Sequence, residues 1–484
     1  MSRMQFSRPS LNVLRWAASL AVSAALPSMV AAQKIPLPTG PQLTGKPNIV
    51  LIVADDLGYG ELSCQGAKTV HTPNIDSIAA NGVRFTDGYV SCPVCSPSRA
   101  GIISGRYQQR FGHEFNPNMK DPKAFFGLPK SVATLPRRMK EAGYATAMFG
   151  KWHLGDTPGY LPLERGFDRF WGFYLGGHNY RGSTPENPMI DGITPLTDQP
   201  DYLTDAISTK AASYVASNRN RPFFLMVTYN AVHLPVHMNQ PRENRFGYIA
   251  TDRDRAVRTM LAAMDDGVGQ IIISLRKSRI LDDTLVIFVS DNGNTPDSQI
   301  EDNGGFRDGK TFLYEGGIRV PMLMQWKNGL PAGQTYRKPV ISLDLTATIM
   351  AAGGLDLSKR PELDGKDLRP YLSGANAGDP HDALFWRFGR QRAVRMGNYK
   401  LVQMEENGPR EVYDLAADPA ETNNIASAQL ETLEKLEAAY TKWNALNVEP
   451  LWTKSYPTPA TRPANGGDDE IGGAPESLID QAGH

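Results

Sequence analysis

The chain has 484 residues, long enough for a large core and for more than one domain. Its 51 basic and 51 acidic residues cancel, which excludes bulk attraction to nucleic acid, so any selectivity for an anion must come from a local cluster. The 3 cysteines are an odd number, so at least one thiol lies outside any disulfide; Cys64 and Cys92 can pair or stay free.

The N-terminus reads as a targeting segment. Arg3, Arg8 and Arg15 form a basic region, residues 16–30 an apolar one, and Val30-Ala31-Ala32 offers small residues to a signal peptidase. Residues 1–32 are therefore expected to be a signal peptide, and the protein periplasmic or secreted. The apolar run is short for a membrane span and no Cys follows it, so no stable membrane anchor is expected. Residues 33–46, rich in Pro, Gly and Thr, read as a linker.

Residues 48–54 (NIVLIVA) are continuously apolar, as in a strand buried on both faces, and they end in Asp55-Asp56. Two carboxylates at the end of a buried strand are costly unless they are paired or hold a cation. Thr72-Pro73 opens a helix that Gly82 stops, and residues 83–90 read as one strand. Cys95-Ser96-Pro97-Ser98-Arg99 follows. Pro97 suits a helix start, with residues 100–104 as the first turn. A helix N-terminus and the guanidinium of Arg99 both favour an anion, which puts Cys95 beside an anion site. The next polar-aromatic loop carries His113 and Glu114, candidates for a substrate rim.

A helix is expected over 131–142 and a strand over 145–149, followed by Gly150-Lys151-Trp152-His153-Leu154-Gly155. In extended backbone Lys151 and His153 share one side. Gly176-Gly177-His178-Asn179-Tyr180 is a flexible loop with aromatic flanks. A helix over 206–217 and a strand over 223–229 lead to His233-Leu234-Pro235-Val236-His237. Residues 252–275 repeat apolar side chains at helical spacing, and the strand 285–289 ends in Ser290-Asp291-Asn292-Gly293. Gly309-Lys310-Thr311 and Glu315-Gly316-Gly317-Ile318-Arg319 follow, then a helix over 341–352 and a turn-rich stretch over 365–379. Strands are expected at 383–388, 393–396, 399–404 and 412–415 and a helix at 430–446; beyond 456 the composition suits disorder.

Strands alternating with helices imply a mostly parallel sheet covered on both faces, with ligands bound beyond the carboxyl ends of its strands. Asp55-Asp56, Lys151 and His153, His233 and Asp291-Asn292 all follow apolar strand runs. Independent surface features would not share that placement. Asp55, Asp56, Asp291 and Asn292 offer only oxygen ligands, the set preferred by calcium or magnesium rather than zinc.

The stretch from Cys95 to Arg106 resembles the signature of type I sulfatases. Gly150–Gly155, the His233 motif and the Lys310 segment resemble further sulfatase motifs, in the family's order from Pro47 to Pro321. The resemblance implies an alkaline phosphatase-like α/β fold: a large mixed, mostly parallel sheet between helices over 47–360, then a smaller α+β domain over 361–455 with an antiparallel sheet and a helix. It implies that a maturation enzyme converts Cys95 to formylglycine and that calcium is held by Asp55, Asp56, Asp291 and Asn292. One hydroxyl of the hydrated aldehyde would attack sulfur, and the other would lose its proton to expel sulfate. Arg99, Lys151 and Lys310 would offset charge on the sulfuryl oxygens. His233, together with Lys310, would protonate the leaving oxygen, and His153 would assist the diol. His178 and Tyr180 would contribute to the substrate pocket; His237 is either rim or structural.

The expected function is hydrolysis of sulfate esters, on a sulfated galactan or glycosaminoglycan more than on a small aryl sulfate. The nearest rival enzyme is a phosphonate monoester or phosphodiester hydrolase of the same superfamily. A calcium-dependent glycan-binding protein without catalysis would be expected to lack Cys95, Lys151 or Lys310, and all three are present.

Overall fold

The computed structural model describes residues 45–117, 127–296, 298–300 and 303–452. The expected signal peptide, the linker up to residue 44 and the expected disordered tail lie outside the described residues. The strands are β1 Asn48–Ala54, β2 Val83–Phe85, β3 Gly88–Tyr89, β4 Ala145–Lys151, β5 Arg169–Phe173, β6 Ile190–Asp191, β7 Thr194–Pro195, β8 Phe223–Thr228, β9 Thr284–Ser290, β10 Met322–Gln325, β11 Gln334–Tyr336 and β12 Val340–Ile341. Four more follow: β13 Leu384–Phe388, β14 Gln391–Met396, β15 Tyr399–Gln403 and β16 Glu411–Asp414. The helices are α1 Pro73–Ala80, α2 Cys95–Ser104, α3 Leu135–Glu141, α4 Leu203–Asn218, α5 Asp252–Lys277, α6 Glu315–Ile318, α7 Leu343–Ala352, α8 Arg369–Leu372 and α9 Leu430–Asn444.

A ten-stranded sheet runs in the order β11-β2-β10-β9-β1-β8-β4-β5-β6-β7. β1 lies at its centre, parallel to both neighbours, with Leu51 opposite Met226 of β8 and Ile287 of β9. β4 continues the parallel block to β5, while β10 runs antiparallel between β9 and β2. The two-residue period of a strand explains the unbroken apolar runs. Ile49, Leu51 and Val53 enter one buried cluster, with residues of α2, α3, α7 and the C-terminal strands. Val50, Ile52 and Ala54 enter another, with residues of α1, α4 and α5. β1, β8 and β9 therefore end together, and their carboxyl ends bring distant loops to one place.

Three local expectations are corrected. Residues 83–90 are not one strand: Thr86 and Asp87 break the run, sending β2 to the large sheet and β3 to a two-stranded pair with β12. The helix expected over 131–142 begins at Leu135, with Thr134 before it and Pro136 in its first turn. α2 begins at Cys95 itself rather than after Pro97, so Pro97 occupies the third helical position, where its missing N–H costs nothing. β13 to β16 form a separate antiparallel four-stranded sheet with hairpin registers, and Gly397 supplies the positive φ of +57° needed at one turn. Among the described residues no helix is long and apolar enough to cross a membrane.

Candidate active site

α2 is buried along its whole length, and Cys95 at its first position is fully buried. The Cys95 thiol points at the end of β1, with Sγ 3.6 Å from Asp55 Oδ1 and 4.0 Å from Asp56 Oδ1. Ser96 anchors this helix start. Its N–H donates to Asn116 Oδ1 at 3.0 Å, and its hydroxyl donates to the His153 carbonyl at 2.6 Å. With that proton committed, the 2.7 Å contact between Ser96 Oγ and His113 Nε2 requires the ring to donate.

Three buried carboxylates face three buried cations. Arg99 binds Asp291 through Nε at 2.8 Å and Nη2 at 2.7 Å, reaches Asp55 at 3.7 Å, and donates to the Lys151 carbonyl at 3.1 Å. Lys151 Nζ lies 2.6 Å from Asp55 Oδ2, and Lys310 Nζ lies 2.9 Å from Asp56 Oδ2. Asn292 Nδ2 donates to Asp56 Oδ1 at 2.7 Å, and His233 Nε2 lies 3.8 Å from Asp56 Oδ2. All the expected metal-ligand and catalytic positions are thus brought together, from loops as far apart in the chain as Asp55 and Lys310. The order of the elements explains it: each residue ends or follows β1, β4, β8 or β9, or lies on α2 or the loop that packs against their ends.

The electrostatics follow from burial. Burial alone would raise Asp56, but Lys310, His233 and Lys151 outweigh it and hold the carboxyl at about 2. Asp291 is pushed to about 6 by burial and by Asp55, against the pull of Arg99. Burial pushes the Cys95 thiol to about 12 despite Lys151 and Lys310. Burial and the Lys310 charge push His233 down to about 3, and burial with Lys151 and Arg99 holds His153 well below its ordinary range. Both imidazoles are neutral at neutral pH. His233 Nδ1 lies 2.7 Å from the Leu234 carbonyl, where it must donate, so Nε2 is left as the acceptor.

Backbone strain gathers here. Asp56, His153 and Thr311 are non-glycine residues with φ of +59°, +57° and +77°. His153 therefore reaches the site by a left-handed turn after β4, not by the strand alternation the sequence suggests.

The donor set fits a hard dication. Asp55, Asp56 and Asp291 supply carboxylates, and the buried Asn292 Oδ1 has no hydrogen-bond partner among the described residues. Ligand atoms of Asp55, Asp56, Cys95 and His233 lie within 4.8 Å of one another, a buried group that could hold a metal ion.

The expected substrate rim is largely turned inward. Glu114 is 1% exposed and grips Arg387 at 2.7 and 2.9 Å, while His113 packs edge-on against Trp452. Tyr180 is fully buried and its hydroxyl reaches the carbonyls of Asn230 and His233 at 2.8 and 2.9 Å, bracing the His233 turn. His178 is buried against Phe173 with Nδ1 on the Asn179 carbonyl, and only His237 is half-buried, tilted against Tyr180. The cause is visible only in three dimensions: Arg387 and Trp452 arrive from the C-terminal part of the chain. Sequence reasoning also missed Ser96, Asn116 and Ser290. Ser290 Oγ accepts the Leu57 N–H and donates to the Asn292 carbonyl, fastening the loops after β1 and β9 together. Its place as the last residue of β9, just before Asp291, was the available signal.

Comparison with known proteins identifies the family. Residues 47–355 match the family model described as Sulfatase, and residues 303–443 match one described as N-sulphoglucosamine sulphohydrolase, C-terminal. Arylsulfatase A of Homo sapiens is 33% identical over 466 residues, covering 83% of this chain and 88% of that protein. N-acetylgalactosamine-6-sulfatase of Canis lupus familiaris is 30% identical over 80% of this chain and 78% of its own length. The crystal structure of Ps i-CgsB in complex with k-i-k-neocarrahexaose superposes with a TM-score of 0.79 at 33% identity, covering 84% of this chain and 94% of that one. With the match extending through the Cys95 loop, the carboxylate-bearing strand ends and the C-terminal sheet, the chain belongs to the sulfatase family and is an enzyme that hydrolyses sulfate esters.

Proposed function

We propose that this sulfatase is exported, acts on a sulfated carbohydrate, and works through Cys95 after a maturation enzyme has converted it to formylglycine. The carrying observation is the convergence of the Cys95 thiol on a buried cluster with as many carboxylates as cations. A thiol pushed to about 12 stays protonated, and is both a poor nucleophile and a poor ligand for a hard cation. A hydrated aldehyde at the same position supplies oxygen for both tasks.

Asp55, Asp56, Asp291 and Asn292 would hold the cation, calcium by family resemblance. It would supply Lewis-acid polarisation of the attacking oxygen and neutralise charge. The chain's own groups do the rest. Arg99, Lys151 and Lys310 carry fixed positive charge into a site without water-like screening, where they stabilise the sulfuryl oxygens in the transition state. His153, kept neutral, is suited to take a proton from the diol. His233 is also neutral with Nε2 bare, so it must first be protonated to act as an acid. Lys310, whose ammonium is disfavoured by burial but held by Asp56, is the better-charged donor to the leaving oxygen.

The likeness to N-acetylgalactosamine-6-sulfatase and to a structure holding a neocarrahexaose supports a galactan or glycosaminoglycan substrate. The basic and apolar N-terminus supports export, and the turn-rich composition of residues 365–379 supports a domain division near residue 360. A phosphonate ester offered beside a sulfate ester tests the rival chemistry, which gains if the phosphonate turns over faster.

Peptide mass spectrometry of the mature protein tests the nucleophile. The expected result is a loss of about 18 Da at Cys95, whereas ordinary thiol oxidation adds oxygen. Cys95→Ala is expected to abolish turnover with an unchanged far-ultraviolet circular dichroism spectrum. Full activity in that variant would end the formylglycine reading.

A further inference from the structure

Lys310 lies on the loop between β9 and α6, and the four-stranded C-terminal sheet, with the segment after β16, grips that loop and the start of α6 at several points. Arg307 Nη1 donates to Tyr413 Oη at 3.0 Å, and Tyr314 Oη donates to Glu411 Oε2 at 2.7 Å. The Glu315 N–H donates to Glu421 Oε2 at 2.6 Å, and the buried Lys400 ammonium bridges Glu315 and Glu421 at 2.9 Å each. Nearest to Lys310 is Gln391, the first residue of β14. Its amide nitrogen donates to the Thr311 carbonyl at 2.8 Å, and its amide oxygen accepts the Leu313 N–H at 3.1 Å.

The residue gripped is under strain. Thr311 is β-branched and sits at φ +77°, a left-handed conformation that such side chains rarely adopt. Its N–H is held by the Pro93 carbonyl at 2.9 Å, two residues before Cys95. Its carbonyl is held by Gln391. The Lys310 N–H is itself fixed on the Asn294 carbonyl at 2.8 Å, and from this backbone the ammonium meets Asp56 at 2.9 Å. Without the Gln391 amide the Thr311 peptide loses one of its two anchors and can relax toward a right-handed turn, which would re-aim the preceding side chain.

We infer that Gln391 is a positioning residue for Lys310, and that through it the C-terminal sheet sets the geometry of turnover. The inference rests on the reading that Lys310 acts in the reaction. The side chain reaches across a domain-scale gap in the sequence to hold one strained peptide, and a carboxamide is suited to that task because it presents a donor and an acceptor side by side.

A double-mutant cycle tests this on the mature, full-length protein, with 4-nitrophenyl sulfate as the probe. Gln391→Met keeps the size and removes both hydrogen bonds. It is expected to lower kcat by roughly 10-fold to 10²-fold, the scale of a small misplacement of a catalytic group, with little change in KM. In a Lys310→Ala background the same change is expected to add no further loss. Should Gln391→Met fold poorly, Gln391→Glu keeps the acceptor for Leu313 and removes the donor to Thr311, and is expected to lose turnover as well. Hydrogen exchange supplies a readout that needs no substrate: peptides spanning 308–316 exchange faster in Gln391→Met and are unchanged in Lys310→Ala.

Wild-type turnover in Gln391→Met, alongside a crippled Lys310→Ala, overturns the inference while sparing the reading of Lys310. Equal losses in both backgrounds also overturn it, since Gln391 would then act elsewhere. Wild-type turnover in Lys310→Ala overturns both, and that arm identifies which failed first.

Discussion

Asn292 shows how a single side chain is divided between structure and chemistry. Its amide nitrogen donates to Asp56 Oδ1 and to the Gly293 carbonyl, which fixes the rotamer and leaves Oδ1 buried without a partner among the described residues. An unpaired buried carbonyl costs about 1–3 kcal/mol, a debt that a coordinated cation would remove. Asp291 carries the same tension in another form: burial and Asp55 push it to about 6 even with Arg99 beside it. A dication would relieve both. Chelation of the mature enzyme is accordingly expected to lower turnover by about 10²-fold or more, the loss of several kcal/mol of Lewis-acid stabilisation, and calcium to restore it. Calcium should also raise the melting temperature, and Asn292→Ala should shrink that rise. Turnover and melting that ignore thorough chelation, in a protein with no retained metal by elemental analysis, would remove the cation from the site.

Among the elements, β4 carries the tightest constraint. Its last residue is Lys151, and Gly150 before it has φ +116°, where a Cβ would lie 1.8 Å from the Thr228 carbonyl oxygen of β8. On the other side, a Cβ at Gly172 of β5 would lie 1.9 Å from the Gly150 carbonyl oxygen. Three strands thus approach through backbone at the level where Lys151 must meet Asp55. Gly150→Ala adds conformational strain to a clash that only backbone movement can relieve. It is expected to destabilise by roughly 2–5 kcal/mol, read as a lower urea midpoint, and to depress turnover beyond what the folded fraction explains. An unchanged midpoint would mean that β4 and β8 can separate there at no cost. The strand itself was legible, because the apolar run and Gly-Lys-Trp-His mark its end. The glycine's reason was not, because it depends on a carbonyl 78 residues further along the chain. For the same reason His113 and Glu114 read as a rim: their polarity is visible in the sequence, while Arg387 and Trp452, which turn them inward, are not. That Asp55, Asp56, Asp291 and Asn292 meet was readable because strand ends in a parallel sheet must converge, and that rule needs no contact map.

Across the whole molecule, the catalytic sheet and the C-terminal sheet share one apolar cluster and one buried ionic group. Lys400 of β15 lies between Glu315 of α6 and Glu421, all fully buried, and Tyr89 of β3 donates to Glu315 at 2.6 Å. Two carboxylates around one ammonium cannot both ionise at low cost. Burial opposes ionisation of Glu315, but Lys400, Arg319 and Arg395 outweigh it and hold it at about 2. Glu421 goes the other way, raised from 4.5 to about 7 by burial and by Glu315 against the pull of Lys400. The folded state therefore binds the Glu421 proton more tightly than the unfolded chain does. The stability this contributes is fully present below pH 4.5 and is lost as pH rises through about 7. Asp265, pushed to about 6 by burial, adds to the same slope. Glu315 acts oppositely: its contribution is present above pH 4.5 and disappears only as pH falls through about 2, outside that window. Glu421→Gln keeps an acceptor for the Glu315 N–H and leaves Lys400 with a single counter-charge. Its unfolding free energy, read by urea titration, is expected to match the wild type near pH 5 and to exceed it near pH 8, by an amount on the order of 1–3 kcal/mol, because only the wild type must ionise a second buried carboxyl. Parallel curves across that range would mean that Glu421 is ionised throughout and that the two sheets are joined by a full triad of charges rather than by a pair and a proton.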